Sequence, residues 1–126
     1  MLSSSFCDNH TIDLLLLKIA KGTKKFFLET EFISYEQDFD VVLAEGVVTL
    51  VLGKKGTYVL NKQTPNKQIW LSSPISGPKR YNFDVNDSKW KYSRDNHSLV
   101  DLLEKEVGEL TGVSLHLTPP PSASSS

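Results

Sequence analysis

Residues 40–52 read DVVLAEGVVTLVL, two runs of β-branched and aliphatic residues on either side of Glu45-Gly46. Such side chains favour strands, and glycine tolerates the positive φ that a tight hairpin turn requires. The stretch therefore predicts two antiparallel strands, over 40–44 and 47–52, from which a sheet can grow strand by strand.

The chain beyond this hairpin continues with short strands separated by turn signals. Residues 53–56 read GKKG, and Pro65 lies between Thr64 and Asn66, a combination typical of turns. Further strands are predicted over 57–61, 67–72, 80–83 and 90–92. Five or six sequential strands joined by short turns indicate an antiparallel sheet.

Amphipathic helices flank these strands. Asp8 or Asn9 can cap a first helix, whose buried face follows three-and-four spacing and comprises Ile12, Leu15, Leu16, Ile19, Thr23, Phe26 and Phe27. Ser98 can cap a second helix that runs to about Leu110 with Leu99, Leu102 and Leu103 buried. Its glutamates are expected to face water: Glu104, Glu106 and Glu109.

A helix, a run of strands and a helix predict an α+β two-layer sandwich. Both helices pack on one face of a five- to six-stranded antiparallel sheet, and the other face stays open to solvent. The single domain spans residues 8–117, with Val113, Leu115 and Leu117 filling the groove between the helices. Residues 118–126, rich in proline and serine, are predicted to be a disordered tail.

Composition excludes several classes of protein. The 126 residues are 39% hydrophobic and 23% charged, which suits one folded domain, and no apolar run approaches the roughly 18 residues of a membrane span. No membrane partner is expected, and the free protein is expected to be a monomer. The single Cys7 cannot form an internal disulfide. His10, His97 and His116 are expected at the surface, with no spacing that indicates a catalytic site.

The net charge of −1 hides an uneven distribution. Residues 1–46 carry eight acids and four lysines (net −4), and residues 84–126 carry seven acids and four bases (net −3). Between them, residues 47–83 carry six bases and no acid (net +6). A basic segment of this kind suits an acidic protein surface or a nucleic acid.

Strand alternation indicates that this basic segment presents a tryptophan. If Ile69 and Leu71 point into the core, Trp70 points outward on the same strand. An outward tryptophan among amide side chains favours a binding surface, because tryptophan is often the residue that contributes most to protein association. A structural role, with Trp70 covering a sheet edge, is the alternative.

The same segment resembles animal frataxin. Residues 56–74 read GTYVLNKQTPNKQIWLSSP and residues 76–81 read SGPKRY, nearly residue for residue the frataxin pattern. A looser resemblance extends over residues 38–110 and includes Trp90 with Tyr92. The resemblance implies the same helix–sheet–helix sandwich and a place in the mitochondrial matrix. No arginine-rich presequence is visible, since the first arginine is Arg80.

In function, the resemblance implies an activator of mitochondrial iron–sulfur cluster assembly. Such a protein docks through its sheet on the complex of cysteine desulfurase and scaffold protein and promotes sulfur transfer. Nucleic-acid binding becomes the less favoured interpretation of the basic segment. The positions carried over as partner-binding are Asn61, Lys62, Gln63, Lys67, Gln68, Trp70 and Arg80.

The resemblance also implies an alternative: an iron chaperone that delivers Fe²⁺ to cluster and heme synthesis, with ferroxidase activity. The candidate ligands are Asp13, Glu29, Glu31, Glu36, Asp38 and Asp40. Frataxins have carboxylates along the first helix, where this chain has Lys18, Lys21 and Lys25, and ammonium groups repel a metal cation. Iron binding along the helix is therefore not expected, and the acids of residues 29–45 either hold iron weakly or form only a solvated acidic loop. Either a changed helix or a misplaced start at Met1 would explain the divergence of residues 1–25.

Overall fold

The protein forms a helix, six strands and a second helix in chain order. The structure, a computed structural model, describes residues 9–29, 39–63 and 67–117. The elements are α1 (Asn9–Glu29), β1 (Phe39–Ala44), β2 (Val47–Leu52), β3 (Thr57–Gln63), β4 (Gln68–Ser73), β5 (Gly77–Asp84), β6 (Lys89–Tyr92) and α2 (Leu99–Thr111). This order confirms the predicted α+β sandwich, with six strands as the larger of the two expected numbers. The predicted tail, 118–126, lies outside the described residues.

The sheet is a meander in which each strand pairs antiparallel with the next along the chain. The β1–β2 hairpin turns at Glu45 and Gly46, whose φ angles are 50° and 79°. Two consecutive positive φ angles match the twist of an antiparallel pair, as the Glu-Gly pair predicted. The register that follows pairs Ala44 with Val47.

Strand β5 begins at Gly77, three residues earlier than residue 80, where the sequence predicts it. Gly77 and Pro78 are residues that usually interrupt strands. In this sheet β6 pairs only with residues 81–84 of β5, so the first half of β5 has a free edge. A proline is tolerated there because a free edge does not need its missing N–H group.

The core lies between the sheet and the two helices. Alternate residues of β2 are fully buried (Val48, Leu50 and Leu52), and Ile12, Leu16 and Ile19 of α1 are equally inaccessible. Helix α1 packs over β1, β2 and β3, and α2 packs against β6. Phe27, predicted on the buried face of the first helix, is buried, and so is Trp90 of β6.

The segment after α2 returns to the groove between the helices. Leu115 and Leu117 are buried there, as predicted, while Val113 is only half-buried. Leu117 donates its backbone N–H to Glu104 of α2 at 2.6 Å, and its Cδ2 lies 2.7 Å from where a Cβ on Gly22 of α1 would lie. Gly22 lowers the helix propensity of α1, but it allows this close approach.

The expectation that Glu106 faces water is wrong. Its side chain is buried, and one carboxylate oxygen accepts hydrogen bonds from the Tyr58 hydroxyl (2.9 Å) and the Ser73 hydroxyl (2.6 Å). Burial raises the pKa of Glu106, but the hydroxyl donors outweigh it, so the pKa lies below its ordinary value. Burial and the neighbouring Glu106 raise the pKa of Tyr58.

This buried carboxylate also shapes the turn between β4 and β5. The Ser73 hydroxyl that donates to Glu106 also accepts hydrogen bonds from the backbone N–H groups of Ile75 and Ser76, each at 3.0 Å.

The burial of Glu106 could be predicted only in part from the sequence. The helical period of α2 places Glu106 on the same buried stripe as Leu99 and Leu103. Its partners lie 48 and 33 residues away along the chain, which no local pattern indicates.

We predict that Glu106→Gln lowers the free energy of unfolding by about 1.5–3 kcal/mol at pH 7, because it removes charge-assisted hydrogen bonds. A pKa depressed in the folded chain means that ionised Glu106 stabilises the fold above about pH 4.5, its ordinary value, and that this contribution is lost as pH falls through the folded-state pKa. Urea unfolding at several pH values should show the difference from wild type shrinking below that pH.

The matched control is Glu109→Gln, which removes an exposed carboxylate from the same helix. It should change stability by less than about 0.5 kcal/mol. A Glu106→Gln effect that equals this control, or that stays constant down to pH 3, would contradict the assignment.

Candidate functional site

The open face of the sheet carries Trp70 between two polar neighbours. Ile69 and Leu71 are buried, so alternation places Trp70 on the outer face, as predicted. The register sets it directly opposite Asn61 on β3 and Arg80 on β5. The guanidinium carbon of Arg80 lies 4.6 Å from the centroid of the indole, a cation–π contact that leaves Trp70 half-buried.

A second row of amides holds the edge of the indole. Trp70 Nε1 donates to Gln68 Oε1 at 3.0 Å, and Gln68 Nε2 donates to Asn82 Oδ1 at 3.0 Å. Gln68 pairs with Gln63 on one side and with Asn82 on the other. Gln68, itself bound to Asn82, therefore holds the edge of the indole, while Arg80 covers its face. We call Asn61, Gln68, Trp70, Arg80 and Asn82 the Trp70 surface.

A shallow groove of about 700 Å³ runs along the Trp70 surface. Its described lining includes the cations Lys79, Arg80 and Arg94 and contains no carboxylate. Such a lining suits an acidic or amide-rich partner. Sequence reasoning missed Asn82 and Arg94. Alternation with Arg80 could have placed Asn82 on the outer face, whereas Arg94 follows β6 and reaches the groove only through the tertiary fold.

Two predicted partner-binding lysines lie apart from this surface. Lys67 is an exposed turn residue with φ of 53°. Lys62 is paired with the buried Ile69 and therefore projects on the helix side of the sheet. There its Nζ lies 2.9 Å from Asp13 Oδ1 of α1. Lys62, predicted to bind the partner, and Asp13, predicted to bind iron, thus form an ion pair in which their charges neutralise each other.

The other proposed iron ligands are scattered or lie outside the described residues. Glu29 is the last residue of α1, and Asp40 lies on β1; both side chains are exposed. The Asp40 carboxylate accepts a hydrogen bond from the backbone N–H of Val41 at 2.8 Å. Glu31, Glu36 and Asp38 lie outside the described residues. Where the structure describes the chain, no three His, Cys, Asp or Glu side chains come together as a metal site.

His97 corrects the expectation of three surface histidines. It is partly buried, with Nε2 at 2.6 Å from the Tyr81 hydroxyl and Nδ1 at 2.5 Å from Asp95. His116 is exposed, as expected, and the side chain of His10 lies outside the description. The His97 contacts anchor the loop before α2 to the inner face of β5, so they support the sheet rather than the groove.

The fold and this surface define a class of protein: a two-layer α+β sandwich that presents an indole and several amides on its open sheet face. A family model described as Frataxin-like domain matches residues 9–113, and the chain belongs to the frataxin family. The resemblance of residues 56–81 is thereby confirmed.

Individual relatives agree with this assignment. The chain is 51% identical over 74 residues to the mitochondrial frataxin homolog of Schizosaccharomyces pombe, covering 59% of this chain and 47% of that protein. It is 53% identical over 81 residues to that of Drosophila melanogaster, covering 62% and 43%. The chain thus spans about half the length of these curated relatives. Their names agree with the mitochondrial location expected from the sequence.

A solved structure shows the same fold. Trimeric frataxin from Saccharomyces cerevisiae, described as complexed with ferrous, aligns with a TM-score of 0.65 at 36% identity, over 81% of this chain and 86% of that one.

We predict that Gln68→Ala releases the indole while leaving the domain folded. The lost hydrogen bonds are at least partly exposed, so the free energy of unfolding should fall by less than about 1 kcal/mol. The Trp70 indole N–H resonance should shift and exchange faster with solvent, which NMR can measure. Gln63→Ala, on the neighbouring strand, is the control and should leave that resonance unchanged. An unmoved resonance in Gln68→Ala would mean that Gln68 does not hold the indole.

Proposed function

We propose that the protein activates iron–sulfur cluster assembly by docking the Trp70 surface on the complex of cysteine desulfurase and scaffold protein. The observation that supports this most strongly is the fixed position of Trp70, held by Arg80 on its face and by Gln68 at its edge. A side chain held in its binding orientation loses little entropy on association.

The charges around this surface favour the same kind of partner. Residues 47–83 carry six bases and no acid, and the groove beside Trp70 includes two arginines. Complementary charge raises association rates and selects among partners. The partner surface is therefore acidic or rich in carbonyl groups, and the amides of Asn61 and Asn82 can pair with its backbone.

Docking activates the partner only if it favours the partner's active conformation. A ligand shifts an equilibrium by its difference in affinity for the two states. A rigid surface serves this purpose because it fits one arrangement of the partner better than another. The contribution of this protein is thus binding energy, and sulfur transfer itself remains the chemistry of the desulfurase.

We predict that Trp70→Ala weakens binding to the desulfurase–scaffold complex by about 30-fold, the effect of losing about 2 kcal/mol at a central tryptophan. Stimulation of sulfide production should fall accordingly at limiting protein concentration. Circular dichroism should show a folded domain, since the core residues Ile69 and Leu71 are untouched.

Val42→Ala is the matched control for this experiment. Val42 is an exposed apolar residue that lies on the same sheet face as Trp70 but on the distant strand β1. It should stimulate like wild type. Full stimulation by folded Trp70→Ala would reject the docking proposal.

Iron handling is a second candidate function, favoured by the ferrous complex of the yeast relative. In this chain the ion pair between Lys62 and Asp13 and the lysines of α1 argue against binding along the helix. The Phe27 and Phe39 rings meet edge to face at 5.4 Å, which brings the end of α1 near the start of β1. Iron would therefore bind at this end, where Glu29 and Asp40 lie; in the sequence these two residues stand on either side of Glu31, Glu36 and Asp38.

We predict that anaerobic Fe²⁺ titration broadens the NMR resonances of Glu29 and Asp40 before that of Asp13. Asp40→Asn should weaken the effect several-fold, whereas Asp13→Asn should leave it unchanged because Lys62 already neutralises that carboxylate. Equal losses in both variants, or first broadening at Asp13, would place iron on the helix instead.

A further inference from the structure

The outward face of α1 combines exposed leucines with lysines. Leu14, Leu17 and Leu28 are 54%, 39% and 72% exposed. At about 100° per residue, these three side chains lie within roughly 60° of one another around the helix axis. The helix exposes four lysines on the same side: Lys18, Lys21, Lys24 and Lys25.

This face has no assigned role in folding. Helix α1 already buries Ile12, Leu16 and Ile19 against the sheet, so the outward leucines are not part of the core. Among the residues that the structure describes, the ion pairs involve Lys62, Lys91 and His97 and none of the four lysines of α1. Single exposed leucines are common, but three on one helix face form an apolar stripe, and contiguous exposed apolar surface marks a contact site.

We propose that this face binds the surface of an anionic lipid bilayer. The leucines run along about 21 Å of the helix, and exposed lysines lie beside them, a combination typical of helices that bind anionic bilayers. Leucine side chains can enter the boundary between headgroups and acyl chains, while flanking lysines extend to the lipid phosphates. Each lysine near an anionic membrane adds to the attraction.

The contact is peripheral. Within the described residues neither helix is long and apolar enough to cross a bilayer. The expectation of no membrane partner was based on the lack of a spanning segment, and binding to the bilayer surface requires no such segment. Helix α2 exposes Asp101, Lys105 and Glu109, so the anionic bilayer attracts α1 more strongly than α2.

This membrane face lies on the opposite side of the domain from Trp70. Helices pack on one face of the sheet, and the indole lies on the other. The domain can therefore hold a bilayer and a protein partner at the same time. Loss of binding at one face need not affect binding at the other, so this inference does not depend on the proposed docking function.

The test is co-sedimentation of the full chain with phosphatidylcholine vesicles that contain about one-third phosphatidylglycerol. Wild type should bind these vesicles at low salt, bind less as salt increases, and not bind vesicles of phosphatidylcholine alone. Lys21→Gln with Lys25→Gln should reduce the partition coefficient about tenfold or more. Leu14→Ser with Leu28→Ser should also reduce it, with the lysines intact.

The matched control is Lys89→Gln with Lys105→Gln, which removes the same charge from exposed positions on β6 and α2. It should retain nearly full binding, as should Trp70→Ala. Absence of binding by wild type, or equal losses in both lysine pairs, would overturn the proposal. So would self-association in sedimentation velocity that the Lys21 and Lys25 changes abolish, because the face would then bind a second copy.

Discussion

The register of β3, β4 and β5 is the constraint on which both layers of the protein depend. It directs Ile69 and Leu71 into the core and, on alternate positions, sets Trp70 between Asn61 and Arg80. A shift of one residue would exchange the two faces of β4. Burial of the inner residues therefore also fixes the positions of the residues that form the Trp70 surface.

The buried carboxylate of Glu106 extends this constraint across the molecule. It joins α2 to Tyr58 on β3 and to Ser73 at the end of β4. Ser73 in turn holds the backbone of the turn that leads into β5, the strand that carries Arg80. A group on the helix side thus helps to position a residue on the open face.

Local pattern predicted the elements and the outward direction of Trp70, because alternation and turn residues act over a few positions. It did not predict the pairing of Gln68 with Asn82, or the ion pair of Lys62 with Asp13, because these contacts depend on which residues the tertiary fold brings together. Glu106 shows a different reason. The helical period places Glu106 on the buried side of α2, but its charge predicts exposure to solvent. Its burial is stable only because hydroxyl groups far away in the sequence donate hydrogen bonds to the carboxylate.

The distribution of charge decides which functions the fold can support. A frataxin fold does not by itself bring iron ligands, because function depends on the site residues rather than on the sandwich that carries them. On α1, lysines lie along the exposed side, and the clearest remaining acid, Asp13, is bound by Lys62. On the open face, Arg80 contacts Trp70 and also supplies positive charge to the groove. The outward side of α1 and the open face of the sheet therefore both favour anionic partners over metal cations. This argues for a protein that acts by binding partners rather than by holding iron.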